Sequence, residues 1–264
     1  MTSTHPWIVR NTAAQAGRHI TITPETSDFR YIHAGRIILN SETRSITARN
    51  EGRETTLLVL GGNGRVRVGE RTFEVERFDG VYVGRSEEFT VETDTALDIL
   101  EGSAPTEQVY PTRHVRHAEA KEDPALHLNV GGATTEREIF KVIAENVEGA
   151  KLLTGVTLSK PGNWTSWPPH EHAATQEELY LFFDMPRPGF ATQYIYTSLA
   201  EPEVVAPVYG DDAAIIVKGY HPNVAAPGSV VNFAWILCSL EDHTWRKVGG
   251  VNVQPEFAGE TGLR

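Results

Sequence analysis

Disulfide chemistry is closed to this 264-residue chain: Cys238 is its one cysteine, so no intramolecular bridge can form. It lies in the apolar run from Val230 to Cys238 and reads as a buried structural thiol. Long apolar runs are also lacking. No stretch approaches the roughly 20 residues that a membrane helix requires, and residues 1–7 show no basic segment followed by an apolar one. The expectation is a cytoplasmic protein without a membrane partner. Basic charge is scarce: 24 Lys and Arg stand against 35 Asp and Glu, a formal net charge of -11. That balance argues against nucleic acid and anionic membranes, both of which favour a basic face. It still allows an anionic substrate, because a few local Arg or Lys residues can hold one carboxylate. Helical periodicity is nearly missing. The best candidate is Thr134 to Ala144, with Thr134 as cap and Arg137, Glu138 and Lys141 pairing on an exposed face.

Hydrophobic residues make up 40% of the chain, enough for a core of useful size. They fall in short runs rich in Val, Ile, Tyr, Phe and Thr, separated by Gly and Pro at intervals typical of sandwiches and barrels. One group covers about residues 18–102 and a second about 140–240, with a His-, Pro- and charge-rich connector between them. The groups share a pattern. Glu54, a strand, a Gly-rich turn at residues 61–64 and a further strand in the first resemble Glu178, a strand, Gly189 and a further strand in the second. This weak repetition suggests a duplicated all-β barrel, divided as 1–135 and 136–264.

The chemistry concentrates in Trp167-Pro168-Pro169-His170-Glu171-His172, followed by Glu177-Glu178-Leu179-Tyr180. Residues two apart on a strand face one way, so His170 and His172 would present two imidazoles to one spot. In the next strand Glu178, Tyr180 and Phe182 share a face that suits a lined cavity. Glu177, Leu179, Leu181 and Phe183 share the other, which suits packing between layers. Glu178 is therefore the better ligand candidate. About forty residues on, Gly219-Tyr220-His221-Pro222 supplies a third imidazole at a turn. Three imidazoles and one carboxylate suit one divalent ion, with positions left open for water or substrate. Zinc or manganese comes first and iron or nickel next. His5, His33, His114, His117 and His127 are scattered and read as surface or core hydrogen-bonding groups.

The spacing His-x-His, five residues, Glu, and a later Gly-x-His resembles the two metal motifs of cupins. Residues from about 153 to 245 look more specifically like the 5-deoxyglucuronate isomerase family of bacterial inositol catabolism. The matching words are Pro161-Gly162-Asn163-Trp164, Pro168-Pro169-His170-Glu171-His172, Glu177-Glu178-Leu179-Tyr180, the run from Pro188 to Tyr196, Gly219-Tyr220-His221-Pro222 and Asp242-His243-Thr244-Trp245. The resemblance implies a bicupin with its metal in the C-terminal barrel. Val217 stands where the second cupin motif usually has Pro. Residues 40–50 contain no histidine ahead of Glu54, so the N-terminal barrel is expected to be metal-free.

The same resemblance implies conversion of 5-deoxy-D-glucuronate to 2-deoxy-5-keto-D-gluconate. Moving a carbonyl by one carbon needs an ion to stabilise the enediolate and a group to carry the proton. Glu178, Glu171, Tyr180 and Tyr196 are the candidates for that second task. Arg187, Lys218 and Arg246 flank the site words and could pair with the substrate carboxylate, while Gln193 and Tyr196 could bind its hydroxyls. The odd offset of Gln193 and Tyr196 means that a regular strand would not turn both inward. The alternatives are the related 4-deoxy-uronate ketol-isomerase of pectin breakdown, an Fe(II) cupin dioxygenase, and a sugar-binding cupin without activity. The strand word Glu-Glu-Leu-Tyr differs from the Met-Glu-Val-Tyr typical of the first alternative. Homo-oligomer formation is left open.

Overall fold

The computed structural model describes residues 5–259. Two antiparallel sheets carry most of the chain, and they repeat one order of strands. In the first, neighbours run Arg113–Val115, Gly80–Val83, Arg53–Val68, Leu97–Pro105, His33–Leu39 and Gly17–Ile22. In the second they run Ile8–Val9, Ala213–Ile216, Gln176–Phe183, Asn232–Ser239, Leu152–Ser159, Arg137–Ile143 and His127–Val130. Dropping the first strand of each list, and the last of the second, leaves five that correspond one to one. The duplication expected from the Gly-rich turns is thus present in the topology, and the fold is an all-β double barrel. Two strands cross the division at residue 135: Ile8–Val9 and His127–Val130 both belong to the second sheet.

Each sheet closes on a second layer. In the first half Ser45–Arg49 pairs with Glu88–Glu92, while Glu88–Glu92 and Arg71–Glu76 each pair with the long strand Arg53–Val68. In the second half the layer is a four-stranded sheet ordered Trp164–Thr165, Asn223–Ala225, Ala191–Ile195 and Val204–Val208. The main hydrophobic cluster runs from one barrel into the other and includes Leu58, Tyr82, Leu100, Val142, Leu152 and Ile236. The halves approach closely because glycines face the seam. A Cβ on Gly80 would sit 2.5 Å from Val142, and one on Gly102 would sit 2.5 Å from Ile236.

Two sequence expectations change here. Thr134 to Ala144 is not a helix; Arg137–Ile143 is a strand between His127–Val130 and Leu152–Ser159. Ile139, Phe140, Val142 and Ile143 are buried on both of its faces, which a strand inside a sheet provides and a surface helix does not. Among the described residues the one α-helix is His117–Glu122. The internal alignment also moves by one position. Glu54 is opposite Ala104 and Glu177 is opposite Cys238 in equivalent strands, so the counterpart of Glu54 is Glu177 and that of Glu178 is Thr55. Thr55 accepts from Asn50 at 2.9 Å, beside the ion pair of Arg18 and Glu101, and this network fills the corresponding place in the first barrel.

Candidate metal centre

The strand Gln176–Phe183 places its side chains as its alternation requires. Glu178 and Tyr180 face the barrel interior. Glu177 faces the other half of the molecule and accepts from backbone N–H groups there. His170 comes from the short strand His170–Glu171, which pairs with Asn252–Val253. His172 follows at the turn into Gln176–Phe183, where the N–H groups of Thr175 and Gln176 both donate to its carbonyl. His221 sits after Gly219, whose φ of +78° makes the turn; a Cβ there would also meet the Tyr196 carbonyl at 2.6 Å.

Four buried side chains meet as a result. His172, Glu178 and His221 offer ligand atoms within 4.8 Å of one another. His172 Nε2 lies 3.0 Å and His221 Nε2 3.3 Å from Glu178 Oε2. The His170 ring stands beside that of His221, with centroids 4.9 Å apart, and 6.4 Å from that of His172.

The three imidazoles share one arrangement. Nδ1 of His170, His172 and His221 faces the carbonyls of Pro168, Gln176 and Gly219 at 2.9, 3.3 and 3.0 Å. A carbonyl only accepts, so each Nδ1 carries the proton, and this is how a metal-binding histidine is commonly oriented. His221 Nε2 then points a lone pair at a carboxylate oxygen and makes no hydrogen bond although it is buried. Two electron-rich atoms at that distance call for a cation between them, so the donor set fits a divalent ion.

The electrostatics agree. Burial pushes His170 down to about 3, with His221 adding to the effect, so it is neutral at neutral pH. Burial opposes ionisation of Glu178, but the imidazoles of His172 and His221 outweigh it and hold its carboxyl at about 2. Burial also lowers His172, and there the contact with Glu178 prevails and raises it. Burial and Glu178 lift the Tyr180 phenol well above its ordinary value, so it keeps its proton.

A cavity of about 70 Å³ opens beside the cluster. His170, His172, Glu178, Tyr180, Ser166 and Arg137 supply its polar wall, and Val248, Gly249 and Val251 its outer side. Tyr180 and Ser166 exchange a hydroxyl hydrogen bond of 2.8 Å. Arg137 was expected on an exposed helix face but is 2% exposed. Its sequence signal is an arginine heading a strand that also carries Ile139, Phe140, Val142 and Ile143.

Other sequence candidates lie elsewhere. Glu171 points away from the ligands and accepts from Asn252 Nδ2 at 2.6 Å and from the Ala173 N–H at 3.0 Å. Gln193 is fully buried and donates to the carbonyls of Tyr194 and His221, at 2.7 and 3.1 Å. Tyr196 has the opposite parity and donates to Gln254 Oε1 at 2.7 Å, in an aromatic hollow with Trp164, Trp167 and Tyr194. Arg187 lies over the Tyr209 ring. Lys218 pairs with Glu203 at 2.9 Å. Arg246 donates to the carbonyls of Ala144, Val147 and Leu152 at the seam between barrels, and His243 meets Tyr110 nearby. No helix among the described residues is long and apolar enough to cross a membrane.

Two β-barrels in tandem, the second carrying a buried three-histidine and glutamate cluster, define a bicupin with one candidate metal site. The chain matches the KduI/IolB family over residues 7–252 and belongs to it, as an isomerase of that family. It is 27% identical to a 5-deoxy-glucuronate isomerase of Geobacillus thermodenitrificans, over 88% of this chain and 92% of that one. It is 28% identical to a 4-deoxy-L-threo-5-hexosulose-uronate ketol-isomerase of Caldicellulosiruptor bescii, over 72% and 77%. In fold it is similar to the crystal structure of an IolB-like protein from Salmonella typhimurium, with a TM-score of 0.82 at 22% identity over 95% and 98% of the two chains.

Proposed function

We propose that this chain isomerises a deoxy-hexuronate between aldose and ketose forms, with 5-deoxy-D-glucuronate as substrate and 2-deoxy-5-keto-D-gluconate as product, in the breakdown of inositol. The observation that carries this reading is the convergence of His170, His172, Glu178 and His221 beside a cavity that the first three line and that also presents a protonated phenol. Those four residues would hold the ion, zinc or manganese first and iron or nickel next. A divalent ion there supplies Lewis acidity toward a carbonyl and its neighbouring hydroxyl.

The residues account for the rest. The reaction moves one proton from the hydroxyl-bearing carbon to the carbonyl carbon and another between the two oxygens. Tyr180, hydrogen-bonded to Ser166, would hand a proton between substrate oxygens. Ile139, Phe233, Trp235 and Leu237 line the rest of the wall and keep water out. Val248, Gly249 and Val251 form the side of the cavity past which a six-carbon acid would enter.

The test is an assay of metal-loaded protein with 5-deoxy-D-glucuronate and, in parallel, with 4-deoxy-L-threo-5-hexosulose uronate. Faster conversion of the first supports the reading; faster conversion of the second replaces the substrate and keeps the chemistry. Conversion of neither, with oxygen uptake on some other substrate, would sink it.

A further inference from the structure

We propose that Arg137 is the residue that makes this site select an acid: its guanidinium receives the substrate carboxylate at the end of the cavity away from the reacting carbons. The inference rests on the isomerase reading and adds the group that recognises the substrate class.

The first support is position. Arg137 is the one Lys or Arg among the residues lining the cavity of the metal cluster. Arg187, Lys218 and Arg246, the cations nearest to the site words in sequence, are placed at Tyr209, Glu203 and the seam between barrels. The second is fixation. Nη1 donates to the Thr135 carbonyl at 2.8 Å and Nη2 to the Trp167 carbonyl at 2.7 Å. Both anchors come from loops, so they set the plane of the guanidinium while its stem stays in the strand. A planar donor held in place is suited to bidentate capture of a carboxylate. The third is surroundings. Ile139, Phe233 and Trp235 line the same wall, so a charge pair formed there is poorly screened. Burial lowers the guanidinium to about 10, which leaves it cationic at neutral pH.

The arrangement also orders the substrate. Tyr180 lines the same cavity as both Glu178 of the ligand cluster and Arg137. A linear sugar acid with its carbonyl end at the cluster and its carboxylate at Arg137 would carry its reacting oxygens past Tyr180. A neutral sugar of the same length would lack the second anchor.

The experiment compares metal-loaded wild type with Arg137→Gln on 5-deoxy-D-glucuronate and on 5-deoxy-D-glucose, in which a hydroxymethyl group replaces the carboxylate. Loss of a buried charge-assisted pair should lower kcat/KM for the acid by about tenfold to a hundredfold, mostly through KM. The value for the neutral sugar should change by no more than a few-fold. Equal losses on both substrates would overturn the proposal and leave Arg137 a structural role. Arg137→Met, similar in length and suited to an apolar wall, replaces Arg137→Gln if the latter does not fold. Calorimetry with D-gluconate and D-glucitol provides a readout without turnover. Tighter binding of gluconate by wild type, abolished in the variant, supports the assignment; unchanged gluconate binding refutes it. Should wild type convert neither deoxy uronate, the isomerase reading falls, and the calorimetry alone decides on Arg137.

Discussion

Glu54 and Glu177 make the same contact in opposite directions. Glu54, second residue of its strand in the first barrel, accepts from the N–H groups of Ala150, Lys151 and Leu152 at 2.7–2.8 Å. Glu177, second residue of the equivalent strand, accepts from Arg30, Tyr31 and Ile32 at 2.7–2.8 Å. In each case the donors lie at the start of the partner barrel's matching strand. The duplicated halves are thus joined by a reciprocal pair of carboxylates, each satisfying three backbone donors of the other half. Glu54 also accepts from the Tyr82 hydroxyl at 2.7 Å.

Stability should follow that bond count. Glu54→Gln replaces four charge-assisted or buried hydrogen bonds with poorer ones and should cost about 2–4 kcal/mol. Glu177→Gln should cost less, both for its smaller number of bonds and because burial raises the native carboxyl's affinity for a proton. Urea unfolding of the metal-loaded variants measures the difference. Two variants indistinguishable from wild type would mean that the seam is held by apolar packing alone.

Much of the site was legible in the sequence, and the reason is local. His170, His172, Glu178 and Tyr180 lie within eleven residues, where strand alternation fixes direction, and the same parity argument separated Glu177 from Glu178 and Gln193 from Tyr196. What failed to show is what depends on distant partners. Arg137, Glu138 and Lys141 carry spacings that suit a helix surface, but His127–Val130 and Leu152–Ser159 flank the segment and make it a strand. Arg187, Lys218 and Arg246 were chosen for nearness along the chain, which does not tell where a long side chain turns. The pairing of Glu177 with residues 30–32 crosses about 145 positions and leaves no pattern in either segment.

The pH dependence of stability should change sign with metal. Ordinary histidine values lie near 6.5. In the metal-free protein His170 is depressed to about 3, so the unfolded chain binds the extra proton between 3 and 6.5, and stability falls as pH drops through that range. His172 is raised, so its contribution is full below 6.5 and is lost as pH climbs through its folded value. Glu178, at about 2, contributes above its ordinary range and loses that only in stronger acid. The metal-free melting temperature should therefore peak near pH 6.5. Metal binding requires His172 to shed its proton, so the loaded protein should keep gaining toward pH 8. Thermal melts with and without chelator test this, and parallel curves would contradict it.

Glu171→Gln should leave the chemical step nearly intact. Its carboxylate clasps Asn252 on the segment that closes the cavity and does not reach the ligands. Weakening the clasp should alter KM by a few-fold and kcat by less than that. A fall in kcat of about a hundredfold or more, the size expected for a lost general base, would return Glu171 to the proton shuttle.

The sharpest separation of ligand from support is between His221 and Gln193. His221→Ala removes a ligand from the cluster, so the purified protein should lose its metal and nearly all turnover. The core residues Phe182, Phe233 and Ile236 belong to the hydrophobic cluster, which does not include that imidazole, and circular dichroism should stay native. Gln193 touches no ligand atom. It donates to the His221 carbonyl and accepts from Asn223 Nδ2 at 3.1 Å, and Asn223 in turn accepts from the Thr165 hydroxyl. That chain of bonds fixes the turn from which His221 projects. Supports of this kind are worth roughly ten- to a hundredfold in metal affinity, so Gln193→Ala should bind metal more weakly by about that factor. With the ion in excess, its turnover should recover toward wild type, because the ligands themselves remain. His221→Ala should not recover at any metal concentration. Titration of both variants with zinc and with manganese, followed by activity at saturation, distinguishes them. Recovery of His221→Ala would show that His170, His172 and Glu178 suffice. A Gln193→Ala protein that is saturated with metal yet inactive would put the Gln193 amide in contact with substrate instead.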